Sequence, residues 1–366
     1  MKCTLKVITP VHIGNGLKYG PHEFYTGKGR SGERKFDIFS RVDTTKLYSK
    51  LDEKTQEEFL HNLTTPEFDL KGFFKGSLAA KKAARESVRY RGVLRTKSDH
   101  IKEVSEHIKT SDELYIPGSS IKGSIRTALL YKTLTDSDLD RISDRISRVG
   151  HRRNPNFQNF INGFLASEPR DAAKKSVMRF LQVTDTSTVK TPHLYEMKVL
   201  NAKILNDGRR SVGYKSFPLH IECIPKVGLE FEIKFTYNRI YDDLGLGNLK
   251  KLLDPEKIKE SLHRFSRDYI KHEIEFASRY DIDFLEECYT KLWKKNSPKT
   301  PLMRIGYGSG FLATTIALRF KEEDPSTYDS IRKLAGKRTY PYEFPKTRKL
   351  INGRTPPGWV KVIFNE

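Results

Sequence analysis

Residues 116–126 read Ile116-Pro117-Gly118-Ser119-Ser120-Ile121-Lys122-Gly123-Ser124-Ile125-Arg126. Leu114, Tyr115 and Ile116 have the composition of a short strand, Pro117-Gly118 that of a turn, and Ile121 onward that of a helix to about Leu134. Ser119 and Ser120 are of the hydroxyl type that caps helices. The first N–H groups of a helix lack internal partners, and with the helix dipole they attract anions. Lys122 and Arg126, four apart, share one face beside that end. Gly123 removes bulk where a sugar-phosphate chain could approach. The glycine and lysine spacing excludes a Walker A loop. A capped helix without any ligand would need only the serine.

Upstream, residues 3–13 read as a β-strand, which Gly14-Asn15-Gly16 ends in a turn. A second strand is expected at Lys35–Phe39. Helices are expected from Thr44 or Thr45 to about Leu63, and from Pro66 to about Arg91. Downstream, residues 178–185 read as a strand. Lys198–Leu205 and Arg209–Phe217 flank Asn206-Asp207-Gly208, a hairpin signature because Asp-Gly favours a type I′ turn. Strands Phe217–Cys223 and Leu229–Tyr237 follow, then a long helix from Pro255 to about Arg279, another from Asp283, and a terminal strand at Trp359–Phe364. Strands and helices come in runs, which argues for an α+β fold rather than a regular βα alternation. Two ferredoxin-like (RRM-like) units fit this order. The expected division is 1–200 with a helical insertion at about 44–177, and 201–366 with one at about 255–297.

The 366 residues carry 67 Lys and Arg against 46 Asp and Glu, a net charge of +21. The excess is spread: 36 basic and 24 acidic residues before position 200, and 31 and 22 after it. A polyanion is the expected partner, because such an excess is costly in self-repulsion when unshared. The stretch Lys81, Lys82, Arg85, Arg89, Arg91, Arg95 and Lys97 holds Tyr90 among the cations, a mix that suits single-stranded RNA. No apolar run reaches the roughly 18–20 residues of a membrane span. The N-terminus lacks the apolar core of a signal peptide. Cys3, Cys223 and Cys288, odd in number and far apart, exclude a disulfide framework and fit a reducing cytoplasm.

Two further segments suggest phosphate contact. Arg304-Ile305-Gly306-Tyr307-Gly308-Ser309-Gly310 places glycines at alternate positions, which allows backbone approach to a phosphate, although it is not the dinucleotide fingerprint. From Arg332 to Lys349 there are seven basic residues and one acid, with Tyr340, Tyr342 and Phe344 interleaved. Pro341 and Pro345 make this segment extended, and Lys346, Arg348 and Lys349 are its candidate contacts. Candidate catalytic groups are few. No metal-ligand spacing occurs among the ten histidines, so neither a metal nor a cofactor is expected. His12, at the end of the first strand, could act as a general base or serve as a structural or ligand contact.

The segments Thr9-Pro10-Val11-His12-Ile13-Gly14-Asn15-Gly16, Ile116 to Arg126 and the glycines near 306–310 resemble those of the RAMP superfamily of CRISPR proteins. With Phe344-Pro345-Lys346-Thr347-Arg348 and Pro357-Gly358-Trp359-Val360, the whole order is similar to the family of the fifth subunit of the type III-A Csm complex. The resemblance implies two ferredoxin-like RAMP domains. It implies a place at the filament end, over the 3′ part of the CRISPR RNA, and a link to maturation of the RNA 3′ end in antiviral defence. The implied partners are the CRISPR RNA, the backbone and small Csm subunits, and recruited host nucleases. It also implies no nuclease site of the chain's own. The backbone subunits of the family carry a target-cleaving Asp in the loop after the first strand. Here residues 14–35 hold Glu23 and Glu33 and no Asp, and Asp37 follows. The RNA-contact set that combines these readings is His12, Gly14, Gly16, Gly118, Ser119, Ser120, Lys122, Gly123, Arg126, Arg304, Gly306, Gly308, Gly310, Lys346, Arg348 and Lys349. The alternative is a metal-independent RAMP endoribonuclease that processes CRISPR RNA with a histidine as base.

Overall fold

The computed structural model describes the chain except residues 32, 66–67, 99–100, 149–160, 168–173, 206, 237–239, 335–343 and 366. Tyr340, Pro341 and Tyr342 lie outside the described residues. The chain opens with β1 (Lys2–Val7), β2 (Gly14–Tyr19), β3 (Phe24–Ser31) and β4 (Arg34–Val42). Four short helices follow, α1 (Thr44–Tyr48), α2 (Glu53–Leu63), α3 (Leu70–Phe73) and α4 (Leu78–Glu86), then β5 (Val88–Leu94), β6 (Val104–His107) and the small hairpin β7 (Lys109–Thr110) and β8 (Glu113–Leu114). Next come α5 (Gly118–Thr133), α6 (Asp136–Arg148), β9 (Leu181–Val183), β10 (His193–Ile204), β11 (Arg210–Tyr214), β12 (Leu219–Cys223) and β13 (Gly228–Phe235). The remainder is α7 (Ile240–Asp243), α8 (Pro255–Arg279), α9 (Asp283–Lys295), β14 (Leu302–Arg304), α10 (Phe311–Thr314), α11 (Ala317–Glu323), α12 (Pro325–Leu334), β15 (Thr347–Ile351) and β16 (Trp359–Phe364).

The first sheet has the order β14-β16-β1-β13-β9, and every pairing in it is antiparallel. Without the edge strand β14, it is a complete split βαβ unit, β1-α5-β9-β13-α8-β16, with the ferredoxin-like strand order. Cys3, Leu5 and Val7 alternate into the core beneath α5 and α8, as the two-residue period of a strand requires. Helix α5 buries Ile121, Ile125, Ala128 and Leu129 at helical spacing. Helix α8 starts at Pro255 behind Asp254, whose carboxylate accepts from the N–H groups of Glu256 and Lys257. Leu5 is fully buried, and Leu5→Ala would cost about 2–5 kcal/mol.

The second sheet has the order β2-β6-β12-β10-β5-β4-β3, with β11 and β15 also paired to β10. Each half of the chain contributes to both sheets, and position 200 lies inside β10. The hairpin expected around Asn206-Asp207-Gly208 is present as β10 and β11. Its loop is wider than a two-residue turn, because Leu205 N–H bonds the carbonyl of Arg209 at 2.7 Å.

Two expectations are corrected. The turn expected at Gly14-Asn15-Gly16 is instead the start of a strand. Gly14–Tyr19 is a strand, and Phe24–Ser31 pairs with Arg34–Val42 as a hairpin. The helix expected up to Arg91 stops at Glu86, because Ser87 caps it and Val88–Leu94 joins the sheet beside β4. Arg89, Tyr90 and Arg91 are therefore strand residues.

Candidate nucleic-acid interface

Helix α5 begins at Gly118, with Pro117 as its cap residue and no side-chain hydrogen bond from that residue. Ser119 and Ser120 lie in the first turn and do not cap it, which corrects the expectation of hydroxyl caps. The capping acceptor comes from elsewhere. Asp185, two residues past β9, takes the Gly118 N–H at 2.8 Å. Gly118 is buried, and a Cβ there would lie 2.2 Å from the Val183 carbonyl oxygen. Its role is close packing of helix on strand. Ser119 and Gly123 are exposed, with open space at the Gly123 Cβ position. Burial holds Lys122 and Arg126 below the usual range of their cations. An anion at this surface would offset that desolvation.

The glycine-rich turn meets the segment between β1 and β2, beyond Val7, where the strand expected over residues 3–13 already ends. Gly306, Gly308 and Gly310 all have φ between 82° and 90°. At Gly306 this freedom serves contact, since a Cβ would lie 2.4 Å from the His12 carbonyl oxygen. Tyr307 N–H donates to that same carbonyl at 2.8 Å. The Tyr307 ring meets His12 edge-on, 5.8 Å between centroids. Lys349, from β15, places its Nζ 3.5 Å from the Tyr307 centroid. Gly14 and Gly16, both exposed, follow directly at the start of β2. Ser124, in the second turn of α5, donates to the Arg304 carbonyl at 3.4 Å, two residues before this turn. His12, the glycine-rich turn and Lys349, far apart in sequence, thus converge.

Two candidate cations face inward, which corrects the expectation that they contact phosphate. Arg304 is buried, donates to Pro357 O at 3.2 Å, Gly308 O at 3.1 Å and the hydroxyls of Tyr269 and Tyr289, and lies over the Trp359 ring. Arg348 is buried too, with its Nε 2.7 Å from Glu273 and its guanidinium 3.7 Å from the Phe276 centroid. Burial alone would raise the Glu273 pKa, but Arg348 beside it holds the carboxyl low. Both arginines act as buried pins. Lys346 remains exposed, beside the carbonyl it offers to Ala202 N–H.

His12 is only 3% exposed, and its Nδ1 lies 2.6 Å from the Glu222 carbonyl oxygen. Burial, with help from Lys109 and Lys349, pulls its pKa down to about 4. It is a neutral, enclosed imidazole near neutral pH. Behind it is a buried polar network that sequence reasoning missed. Glu222 is fully buried and accepts from Tyr19 and Tyr90 hydroxyls at 2.8 and 2.7 Å, from His107 N–H at 3.1 Å and from Lys109 Nζ at 2.5 Å. The available signal was Glu222 standing between the apolar Ile221 and Cys223 in a short strand.

Among the described residues, no group of three or more His, Cys, Asp or Glu is placed to hold a metal ion. No helix there is long and apolar enough to cross a membrane.

The model of the RAMP superfamily matches residues 4–313. The chain belongs to the RAMP superfamily. Its α+β architecture, with curled sheets and inserted helices, is that of RAMP domains. Over 348 residues this RAMP chain is 25% identical to the CRISPR system Cms protein Csm5 of Methanocaldococcus jannaschii, covering 90% of itself and 75% of that relative. Over 270 residues it is 26% identical to the protein of the same name from Streptococcus thermophilus, covering 67% of each. A chain in a cryo-EM structure of a Csm–crRNA–target RNA ternary complex of a type III-A CRISPR-Cas system is similar at a TM-score of 0.69 and 25% identity, with 99% of this chain and all of that chain covered. The crystal structure of T. onnurineus Csm5 shares the fold at a TM-score of 0.67 and 20% identity, covering 99% and 100%. The resemblance to the fifth-subunit family holds in these relatives.

Proposed function

We propose that this RAMP chain is a non-catalytic RNA-binding subunit of a type III-A CRISPR effector complex. In this reading it covers the 3′ part of the CRISPR RNA at the filament end and supports maturation of that end. The observation that carries the reading is the convergence of Lys349, Tyr307, the His12 loop and the glycine-rich turn. Together they offer an oriented ammonium, a ring and backbone that can approach a phosphate. The likeness to a chain of a Csm–crRNA–target RNA complex supports the assembly part. The filament-end position, the link to 3′-end maturation and the recruited nucleases are carried over from the family resemblance. The enclosure of His12 weighs against the endoribonuclease alternative, because a general base must reach the proton it abstracts.

The test is reconstitution. The tagged chain is expected to co-purify with Csm backbone and small subunits and CRISPR RNA. Its omission should leave the RNA 3′ ends longer. The purified chain should leave repeat RNA intact, with or without divalent metal. Specific cleavage that His12→Ala abolishes would overturn the reading in favour of the endoribonuclease.

A further inference from the structure

A groove of about 820 Å³ lies on the other sheet, between the β3–β4–β5 face and helices α3 and α4. Its floor follows from strand register. Gly27 pairs with Ile38, Gly29 with Phe36 and Tyr25 with Ser40. Ile38 pairs with Val93 and Ser40 with Arg91. These residues share one sheet face. Gly29 has no room for a side chain, since a Cβ there would lie 2.7 Å from Ile38 Cγ2 and 3.0 Å from the Phe36 ring, which pack over its backbone. The half-buried rings of Tyr25 and Phe36 line the groove.

The walls are cationic. Arg30, Lys71, Lys75, Lys81, Arg85 and Arg91 line the groove, and no acidic side chain does. All six are exposed, and none has a carboxylate partner among the described residues. Lys28, which also lines the groove, is paired with Asp37; outside it, Lys50 pairs with Glu86 and Arg89 with Asp112. Lys81 and Arg85, four apart on α4, repel each other across one helical face. The opposite face of α4 buries Ala80, Ala83 and Ala84, which fixes the cationic face outward. Uncompensated like charges around a concave, partly aromatic floor are the chemistry of a site for a flexible polyanion that carries stacking rings.

We propose that this groove is a second contact for single-stranded RNA, separate from the Lys349–Tyr307 cluster. The cations hold phosphates, and the bases lie on the floor at Tyr25 and Phe36. An acidic peptide would satisfy the cations but leave the rings without use. The assignment goes beyond the function proposed above and is testable apart from it.

The experiment uses the full chain and fluorescein-labelled oligouridylate of about eight nucleotides, within the roughly 4–16 nucleotides that one single-strand binding fold covers. The wild type is expected to take two oligonucleotides per chain. Lys71→Ala with Lys75→Ala, Lys81→Ala and Arg85→Ala should leave one, with the thermal midpoint unchanged, and lower the salt slope of binding by about one for each lost phosphate contact. Lys349→Ala with Lys122→Ala should remove the other. If the quadruple variant keeps both sites and full affinity, the groove assignment falls while the first site stands. If wild-type stoichiometry is one and the quadruple variant abolishes it, the first site falls and the groove stands. Photo-crosslinking of 4-thiouridine RNA to the wild-type chain is independent of any variant's folding. Crosslinked peptides containing Tyr25 or Phe36 support the groove. Their absence, with polyglutamate displacing the fluorescent RNA at equal charge, would overturn RNA as its occupant.

Discussion

Lys349 Nζ stands 3.5 Å over the Tyr307 ring, at the point where β15 passes the glycine-rich turn. The ring orients the ammonium without neutralising it. A cation held this way meets a phosphate with less ordering cost than a free lysine. Lys349→Ala is expected to weaken RNA binding several-fold and to reduce the salt slope by about one. The loss of stability should stay within about 1 kcal/mol, the size of a cation–π contact at an accessible site. Tyr307→Phe keeps the ring and should bind like wild type. Fluorescence anisotropy across a salt series checks both variants, and an unchanged slope for Lys349→Ala would remove it from the interface.

Asp185, not a serine, completes the α5 start. Asp185→Ala removes the acceptor of the Gly118 N–H, so it should cost about 1–2 kcal/mol, as loss of a helix cap does. Ser119→Ala with Ser120→Ala removes no cap and should stay within about 0.5 kcal/mol, as surface changes usually do. Urea denaturation of the two variants against wild type gives the comparison. A larger loss from the serine pair would restore the hydroxyls as caps.

These two cases show where sequence reading reaches its limit. Helix α5 was legible because Pro117-Gly118 and the apolar spacing of Ile121 and Ile125 are local. Its cap was not, because Asp185 is 67 residues away. The ferredoxin-like character was legible in the mixed order of strands and helices. The pairing of Val7 with Val360 was not, since no local pattern joins two ends of a chain. Cations were read as surface because they usually are. Arg304 and Arg348 are exceptions that only the tyrosines and Glu273 of α8 and α9 explain. The helix expected through Arg91 overran because the Ala-Lys composition of α4 continues smoothly into a strand. The residues of the cluster were legible one segment at a time; their convergence on His12 was not.

Acid should destabilise the fold through His12. Its folded pKa, pulled down by burial to about 4, lies below its ordinary 6.5. The unfolded chain therefore binds the proton first, and stability falls as pH drops from about 6.5 towards 4. Above 6.5 this contribution is complete. His107 and His193 are depressed by burial as well and act in the same direction. His12→Asn should flatten part of the slope of thermal midpoint against pH in that window. Parallel slopes for His12→Asn and wild type would show that His12 is not enclosed in solution.

The buried pair of Glu222 and Lys109 is the remaining test, because it sits at the centre of the second sheet's polar interior behind His12. Glu222 gathers Lys109, two tyrosine hydroxyls and a backbone N–H on one carboxylate. Removing it leaves those donors buried without their acceptor, although Lys109 keeps Glu106 at 2.9 Å. Glu222→Ala should therefore cost about 3–5 kcal/mol, the range for breaking a buried ion pair from one side. Lys109→Met leaves the carboxylate three other donors and should cost less. In the double variant Glu222→Ala with Lys109→Met, neither charge remains unpaired, so its loss should be smaller than the sum of the two single losses by at least about 1 kcal/mol. Calorimetric or urea measurements on the four proteins give that coupling directly. RNA affinity at matched folded concentration should be equal in all four, since neither side chain reaches the surface. Additive losses would mean that the pair contributes nothing as a pair. An affinity that follows Lys109 would move this lysine from the interior of the fold to the RNA interface.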